Sequence, residues 1–164
     1  MADQLTSTLE RYLEAVYRLE RERGAARVRD IAERVEVHKS TVTSALRSLA
    51  EKGLVNYEPY EAITLTPEGR RRGRRLDLRH RVISDFLSHV LGVEAEAAER
   101  NACRMEHAMD QRVLEHIVCF LTFLQRHPRM DAEWVGEFRR FSEGAVREKS
   151  CQDWIEEYLA TAEE

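Results

Sequence analysis

The sequence predicts a mainly α-helical protein that contains one short β-hairpin. Apolar residues recur at helical spacing through most of the 164 residues, which is the periodicity of amphipathic helices. Two of the early helical patterns are separated by a break of only three residues, and two β-rich runs follow them directly. Together these observations predict a winged helix-turn-helix over residues 1–75 and an all-helical domain over residues 76–164.

The first helix is predicted over about residues 7–23. Ser7 followed by Glu10 has the spacing of a capping box. Gly24 is a typical residue for the position at which a helix ends. The apolar face of this helix consists of Leu9, Tyr12, Leu13, Val16, Tyr17 and Leu19.

The segment VRDIAERVEVHKSTVTSALRSLAEKGLV, which begins at Val28, has the layout of a helix-turn-helix. A short helix is followed by a break at residues 36–38 and by a second helix that ends at Gly53. The next segment, LVNYEPYEAITLT, predicts two short strands around a turn at residues 58–61. Such a hairpin after a helix-turn-helix is the element called a wing.

The remaining segments predict helices only. Thr66 and Pro67 suit the cap and first position of a long helix that reaches about Leu91 and stops at Gly92. A further helix is predicted over about residues 94–108, and another between Asp110 and Pro128. Residues 131–162 predict two more short helices.

Composition and charge narrow the class of protein. No apolar run approaches the roughly 18 residues of a membrane span, and the start MADQLTSTLERY has no signal-peptide pattern. Residues 1–80 carry 16 Lys and Arg against 13 Asp and Glu, whereas residues 81–164 carry 10 against 17. We therefore expect a cytoplasmic protein without membrane contact, in which the N-terminal half is the better partner for a polyanion.

The second helix of the helix-turn-helix is the predicted DNA-contacting element. In such motifs this helix enters the major groove, and its first residues meet base edges and phosphates. Serine and threonine at a helix start can instead be simple caps, and the arginine run at residues 70–75 can be a phosphate contact or a solvated helix face. The predicted DNA-binding residues are Arg29, His38, Lys39, Ser40, Thr41, Thr43, Ser44, Arg47, Tyr57 and Tyr60.

A second cluster of chemically active residues lies at Cys103, Glu106 and His107. Residues at this spacing share one helix face, and a thiolate, a carboxylate and an imidazole suit a first-row transition metal. Alternatively the cysteine is a core residue and the glutamate a solvated charge. Glu10 and Glu14 of the first helix and His80 of the long helix could complete a site joining three helices. For Cys119 and Cys151 we expect the role of small apolar fillers.

These residues carry a resemblance to a known family. The segment from LERYLEAVYRLE through LTPEGRRRG, the RH at residues 79–80 and the CRMEH at residues 103–107 resemble the DtxR/MntR family of metal-dependent transcriptional repressors. The similarity spans about residues 5–125. It implies a homodimer that binds Mn²⁺ or Fe²⁺ and then binds double-stranded operator DNA controlling metal uptake. Too few residues follow this span for the SH3-like C-terminal domain of iron-type members, so we expect the short, manganese-type architecture.

The resemblance also implies a ligand set. By position, Glu14 and His80 match ligands of manganese-type members, Cys103 falls where iron-type members carry cysteine, and Glu106 and His107 match ligands of both types. Arg11 departs from the family, which has an aspartate or methionine ligand there, and an arginine cannot ligate a metal. The wing lacks the family's basic residues, and Ser84 and Glu99 do not reproduce the ancillary site of iron-type members.

The sequence therefore predicts a metal-dependent repressor of metal homeostasis, with no small-molecule substrate and no catalytic residues. Residues 126–164 are expected to be helical and to lie at the dimer interface. Cys103 leaves Zn²⁺ and Co²⁺ open as alternative ions. The second hypothesis is a winged-helix regulator that has lost metal control because Arg11 pairs with Glu14 or Glu106 in place of the ion. A metalloenzyme with a glutamate base and a pure dimerisation module are remoter alternatives.

Overall fold

A computed structural model describes residues 5–126 and 132–162 and confirms the predicted fold class. In this part of the chain there are eight α-helices, one π-helical segment and one two-stranded sheet. The order is α1 (Ser7–Arg23), α2 (Val28–Val35), α3 (Lys39–Glu51), β1 (Val55–Asn56), β2 (Thr64–Leu65), α4 (Pro67–Asp85), the π-helical segment Phe86–Val90, α5 (Ala95–Met105), α6 (Gln111–Arg126), α7 (Ala132–Glu148) and α8 (Cys151–Ala162).

α1 has the predicted bounds, Ser7–Arg23, but the predicted capping box is wrong. Thr6 is the N-cap: its backbone is extended, with φ −69° and ψ 152°, and its hydroxyl accepts a hydrogen bond from the Leu9 backbone N–H. Since Thr6 fills this role, Ser7 is the first helical residue. The Glu10 carboxylate therefore takes no part in capping the helix and contacts His107 instead.

The helix-turn-helix and the wing have the predicted layout. α2 ends at Glu36, which adopts the left-handed conformation with φ 58°, and α3 begins three residues later. The two strands pair antiparallel, with Val55 opposite Leu65. A single bridge between Ala26 and Ile63 attaches this hairpin to the chain before α2, so the wing and the helix-turn-helix form one unit.

Two separate apolar cores are present in the described residues. The first core combines α1, α2, α3 and the wing, and its fully buried members include Leu13, Val16, Ile31, Leu46 and Ile63. The second core lies between α4, α5 and α6 and is built from Ile83, Leu87, Ala98, Ala102 and Leu114. Because Leu76 belongs to the first core and Ile83 to the second, α4 connects the two halves of the molecule.

The long helix predicted to end near Leu91 is α-helical only as far as Asp85. Its last turn is the π-helical segment, and the backbone N–H of Leu91 reaches the carbonyl of Phe86, five residues earlier. An apolar pattern does not distinguish an α-helical turn from a π-helical one, because both continue the same helix surface. Gly92, with φ 71°, ends the helix as predicted.

The last three helices expose many apolar side chains. Val113, Val118, Phe120 and Phe123 of α6 are exposed, as are Phe141, Ile155, Tyr158 and Leu159 of α7 and α8. Cys119 and Cys151 are also exposed, so the expectation that they fill apolar space is wrong for the single chain. Pro128, the predicted end of α6, lies outside the described residues. None of the described helices has the length and apolar character of a membrane span.

Candidate metal centre and nucleic-acid interface

Glu14, Glu106 and His107 form a compact cluster of potential metal ligands. Each offers one ligand atom, and these atoms lie within 4.8 Å of one another. Glu14 comes from the buried face of α1, whereas Glu106 and His107 follow the last residue of α5. The cluster therefore joins the helix-turn-helix half of the chain to the second half. We refer to these three residues as the ligand cluster.

His80 of α4 lies directly beside the ligand cluster. Its Nδ1 atom is 3.0 Å from Oε2 of Glu106, and its Nε2 atom is 2.8 Å from Oε2 of Glu99. The imidazole is almost completely buried, with 3% of the residue exposed. Hence α4 places an imidazole beside the cluster, where it could serve as a further nitrogen ligand.

Cys103, like His80, is a member of the predicted set that lies outside the ligand cluster. It lies one turn before Glu106 on α5 and is half-buried. Burial, together with the negative charges of Glu106 and Glu14, raises the pKa of its thiol. Ionisation of the Cys103 thiol is therefore disfavoured at this position.

The pKa values of the ligand cluster are shifted, because its ionisable groups lie close together and are buried. Burial and the charge of Glu106 raise the pKa of Glu14. Burial opposes ionisation of Glu106 as well, but hydrogen bonds with His107, His80 and Glu14 outweigh it and lower its pKa. Burial similarly disfavours charged His107, yet hydrogen bonds with Glu10 and Glu106 raise its pKa to about 9.

The polar atoms of this region fit a divalent cation. Four buried atoms lack well-directed hydrogen bonds, namely Oε1 of Glu14, Oε1 of Glu106, Nε2 of His80 and Nε2 of His107, and their close partners are ion-pair contacts of 2.8 to 3.2 Å. Carboxylate oxygens and imidazole nitrogens are the ligands that first-row transition metals accept. The residues present therefore fit the metal that the resemblance implies.

Arg79 holds the backbone that carries Glu106 and His107. Its Nη2 atom donates hydrogen bonds of 2.8 Å to the backbone carbonyls of both Glu106 and Met109. These carbonyls lie just beyond α5, where a helix leaves its last carbonyl groups without partners. One guanidinium thus fixes the turn from which two potential ligands project.

We expect the substitution Arg79→Ala to lower metal affinity about 10- to 100-fold, the usual effect of removing a group that orients metal ligands. The reason is that the turn after α5 loses both of its side-chain hydrogen bonds. Calorimetric titration with Mn²⁺ measures the change. Arg74→Ala, at an exposed position of the same helix, is the matched control, and equal losses in the two variants would contradict this role of Arg79.

Arg11 lies on the side of α1 that faces α2. Its Nη2 atom donates a 2.8 Å hydrogen bond to the backbone carbonyl of Val35. The cation that contacts Glu14 is instead Arg18, one turn further along α1, at 2.8 Å. The structure thus gives Arg11 a partner at the end of α2.

Glu10, which the sequence suggested as a possible member of this site, contacts His107, with 3.1 Å between its Oε2 atom and Nδ1. Three other residues of this region were missed by the sequence reasoning: Arg18, Asp77 and Glu99 form an ion-pair group behind His80. A signal existed for two of them: Glu99 shares a face of α5 with Glu106, and Asp77 shares a face of α4 with His80.

The predicted DNA-contacting residues form an exposed surface on α3 and around it. The buried side of α3 consists of Val42, Ala45, Leu46 and Leu49. Thr43 is half-buried and donates its hydroxyl to the Lys39 carbonyl at 3.0 Å, and Tyr57 packs against the first core. The remaining candidates are exposed: Arg29, His38, Lys39, Ser40, Thr41, Ser44, Arg47 and Tyr60.

The arginine run at the start of α4 is largely paired within the chain. Arg70 contacts Glu20 at 2.7 Å, and Arg71 and Arg72 both contact Glu68. Charged side chains satisfied in this way contribute less to the attraction of phosphates. The structure favours the alternative that this run is a solvated helix face.

Comparisons with known proteins agree with this arrangement. The family described as "Iron dependent repressor, N-terminal DNA binding domain" matches residues 4–63. The family described as "Iron dependent repressor, metal binding and dimerisation domain" matches residues 66–134. The ligand cluster and the α3 surface lie inside these matches.

Individual relatives are similar over most of their length. The HTH-type transcriptional regulator MntR of Geobacillus kaustophilus is 36% identical over 124 residues, which cover 76% of this chain and 87% of the relative. MntR of Listeria welshimeri is 34% identical over 123 residues, covering 75% and 86%. An uncharacterised HTH-type regulator of Methanocaldococcus jannaschii is 32% identical over 118 residues, covering 71% and 94%.

Solved structures show the same fold. A manganese-dependent transcriptional repressor in complex with manganese aligns with a TM-score of 0.65 and 33% identity, covering 73% of this chain and 55% of that one. The manganese regulator SloR aligns with a TM-score of 0.61 and 26% identity, covering 70% and 54%. The chain thus spans about half the length of these solved structures. On the strength of these matches, the chain belongs to the DtxR/MntR family of metal-dependent transcriptional repressors.

Proposed function

We propose that the protein binds Mn²⁺ or Fe²⁺ through Glu14, Glu106 and His107, with His80 and Cys103 beside the ion, and that the loaded homodimer binds operator DNA of metal-uptake genes. The observation that carries this proposal is the convergence of ligands from α1 and from the end of α5. A bound dication would supply the positive charge that two neighbouring carboxylates need in order to stay together.

The residues of α1 connect the ligand cluster to the DNA-contacting surface. Glu14 lies between Leu13 and Ala15, and Leu13 is fully buried in the same core as Leu46 of α3. Since packed cores shift as units rather than deform continuously, the position of Glu14 is coupled to the orientation of α3. A ligand that favours one position of Glu14 therefore favours one orientation of α3.

A homodimer would place two copies of α3 on the same duplex. The proposal assigns dimerisation to residues 76–164 and DNA binding to residues 1–75, with the division inside α4. The exposed apolar side chains of α6, including Val113, Phe120 and Phe123, support a protein partner for the second half. Two recognition helices must match half-sites about one helical turn of DNA apart. A regulator of this kind shares the compartment of its DNA, which we take to be the cytoplasm.

The proposal is tested by DNA selection with the intact chain. A randomised duplex pool is enriched on the protein in the presence of Mn²⁺, and the affinity for the selected duplex is then measured by fluorescence anisotropy with Mn²⁺, Fe²⁺, Zn²⁺, Co²⁺ or EDTA. We expect at least about 5-fold tighter binding with the cognate ion, because allosteric couplings are typically 1–3 kcal/mol. Equal affinity in EDTA would contradict metal control.

The DNA contacts are tested separately with Arg47→Ala. This exposed arginine lies on α3, which carries none of the proposed ligands, so the variant is expected to weaken DNA binding while its Mn²⁺ titration is unchanged. Arg112→Ala, at an exposed position of α6, is the control. A loss of metal affinity in Arg47→Ala would contradict the assignment of separate DNA and metal surfaces.

The hypothesis that Arg11 replaces the ion is tested with Arg11→Ala. We expect Mn²⁺ affinity to stay within about threefold and stability to fall by about 1 kcal/mol, because the side chain loses one hydrogen bond to the Val35 carbonyl. Calorimetry and a thermal melt provide the two measurements. A rise in metal affinity of more than tenfold would show that Arg11 competes with the ion and would favour a regulator without metal control.

A further inference from the structure

The helix α8 has an apolar face that is exposed to solvent. Ile155, Tyr158 and Leu159 are 47%, 71% and 55% exposed, and their spacing places them on one side of the helix. The sequence of α8 contains no lysine or arginine, and its acidic residues are Asp153, Glu156 and Glu157. An exposed apolar face on an acidic helix predicts a partner surface that is both apolar and positively charged.

The helices α7 and α8 are joined to each other, and we refer to the two together as the arm. Most of the arm lies beyond residue 134, at which the family match ends. The rings of Phe141 in α7 and Trp154 in α8 meet edge to face, with 5.9 Å between their centroids. Arg139 of α7 donates a hydrogen bond to the carbonyl of His89, in the π-helical segment that follows α4. The arm is thus attached to the body near Gly92 and leaves the apolar face of α8 exposed.

A groove of about 450 Å³ lies between α4 and α6. Its floor is apolar and includes Leu78, Leu114 and Val118, of which Leu78 is 47% and Val118 is 41% exposed. Its wall is formed by arginines of α4, among them Arg71, Arg74 and Arg75. The groove therefore combines exposed apolar side chains with positive charge.

Two of the wall arginines are available to a partner. Arg74 and Arg75 are exposed and have no ion-pair partner in the part of the chain that the structure describes, whereas Arg71 contacts Glu68 of the same helix. The stem of an arginine can cover apolar side chains while its guanidinium stays in water. An amphipathic helix with carboxylates would fill the floor and pair with the wall, which is the helix-in-groove mode of recognition.

Charge and position indicate which groove α8 occupies. Two copies of α8 packed against each other would bring like charges together, which is unfavourable. The groove of the same chain is remote from the arm, because His89 lies about 20 Å along the helix from Arg74. The groove of a second copy has the complementary charge and no such restriction.

A dimer formed through α6 leaves this groove open. Val113 and Phe120, whose exposure supports a protein partner, lie on the other side of α6 from Val118, because successive helical residues are rotated by about 100°. A partner that contacts the first side of α6 can therefore place its arm in the groove on the second side.

We propose that α8 of one protomer docks in the groove between α4 and α6 of the other, with its apolar face on the floor and its carboxylates beside Arg74 and Arg75. The two copies exchange arms reciprocally, as the twofold symmetry of a homodimer requires. The inference rests on the homodimer of the proposed function and adds a second contact between its protomers.

The docking is tested by photo-cross-linking of the intact chain. Tyr158→p-benzoylphenylalanine places a light-activated group on the apolar face of α8, and Ala160→p-benzoylphenylalanine, at an exposed position on the opposite face, is the matched control. Unlabelled and ¹⁵N-labelled protein are equilibrated until their subunits have exchanged and are then irradiated. Mass spectrometry identifies the cross-linked peptides, and analytical ultracentrifugation of the same samples gives the oligomeric state.

We expect the group at position 158 to cross-link to peptides of α4 or of the first half of α6, in pairs that join a labelled chain to an unlabelled one, and the control to give no such pairs. Pairs of uniform label alone would mean that α8 docks on its own chain and would overturn the proposal, as would cross-links to another surface. A monomeric wild type contradicts the proposed homodimer itself, whereas a dimer without these cross-links overturns only the docking of the arm.

Charge reversal tests the pairing of the arm with the wall of the groove. Glu156→Arg/Glu157→Arg and Arg74→Glu/Arg75→Glu are each expected to lower the cross-linking yield about 10-fold, because attraction becomes repulsion. An equimolar mixture of the two variants is expected to recover the cross-link between unlike chains, since each groove then meets an arm of opposite charge. An unchanged yield in both variants, or no recovery in the mixture, overturns the proposal.

Discussion

The substitution Glu106→Gln is expected to lower Mn²⁺ affinity at least about 100-fold, equivalent to roughly 2.7 kcal/mol, and to abolish metal-dependent DNA binding at micromolar metal. Glu106 is the central member of the candidate metal centre: its carboxylate lies 3.0 Å from His80 and 3.2 Å from His107, and it also interacts with Glu14. Glutamine has nearly the same shape but no negative charge, so the cluster loses an anionic ligand while its packing is retained.

Calorimetry with Mn²⁺ and anisotropy with the selected duplex measure the two losses in parallel. Glu96→Gln is the matched control, because Glu96 is an exposed glutamate of α5, the helix that ends just before Glu106, and it pairs with Arg100. If Glu106 acts as a ligand, DNA binding by Glu106→Gln is recovered at saturating Mn²⁺. Wild-type metal affinity in Glu106→Gln would disprove the assignment of this residue, and lost DNA binding that no metal concentration restores would point to a structural role instead.

The substitution Gly69→Ala is expected to destabilise the DNA-binding half by about 3 kcal/mol, the upper part of the range for overpacking. A Cβ atom at this position would lie 1.8 Å from the backbone oxygen of Leu54 and 2.8 Å from its carbonyl carbon. A backbone group cannot move aside as a flexible side chain can. The same Leu54 oxygen accepts a hydrogen bond from the Thr66 backbone N–H, so α4 must separate from the beginning of the wing.

Urea unfolding followed by circular dichroism checks this expectation, and Gly144→Ala provides the control. Gly144 is an exposed helical glycine of α7 with no atom within 4 Å of an added Cβ, so alanine there should stabilise by about 0.5–1 kcal/mol through its helix propensity. Equal unfolding midpoints for Gly69→Ala and the wild type would mean that α4 and the wing are not packed as closely as the structure indicates.

Much of the candidate metal centre could be predicted because its potential ligands have the short sequence spacings that place residues on one helix face. Glu106 and His107 are neighbours in sequence, and His80 lies within a short motif that resembles the family. The roles of all these residues, and of Cys103 in particular, stay predictions until a titration tests them. Arg11 shows the limit of prediction by position, because its place in the family pattern did not predict its hydrogen bond to Val35.

The cationic part of the site could not be predicted in the same way. Arg18 follows Glu14 at a spacing that occurs on countless solvated helices, and most such pairs contribute little. Its importance arises from contacts with Asp77 and Glu99, which lie on other helices far along the chain. Sequence patterns describe one helix at a time, whereas the packing of three helices brought these charges together.

The sequence by itself determined the elements and their order: α1 to α6 begin within a few residues of the predicted positions, and all of them except α4 also end there. The reason is that helix caps, glycine stops and apolar periodicity act over one or two turns of local chain. Only the tertiary structure decided which groups each buried charge contacts. It also decided that α4 approaches the wing so closely that position 69 must be glycine, and that Arg18 rather than Arg11 lies next to Glu14. Those outcomes depend on the distances between helices, and such distances are set by the packing of two cores that no single segment contains.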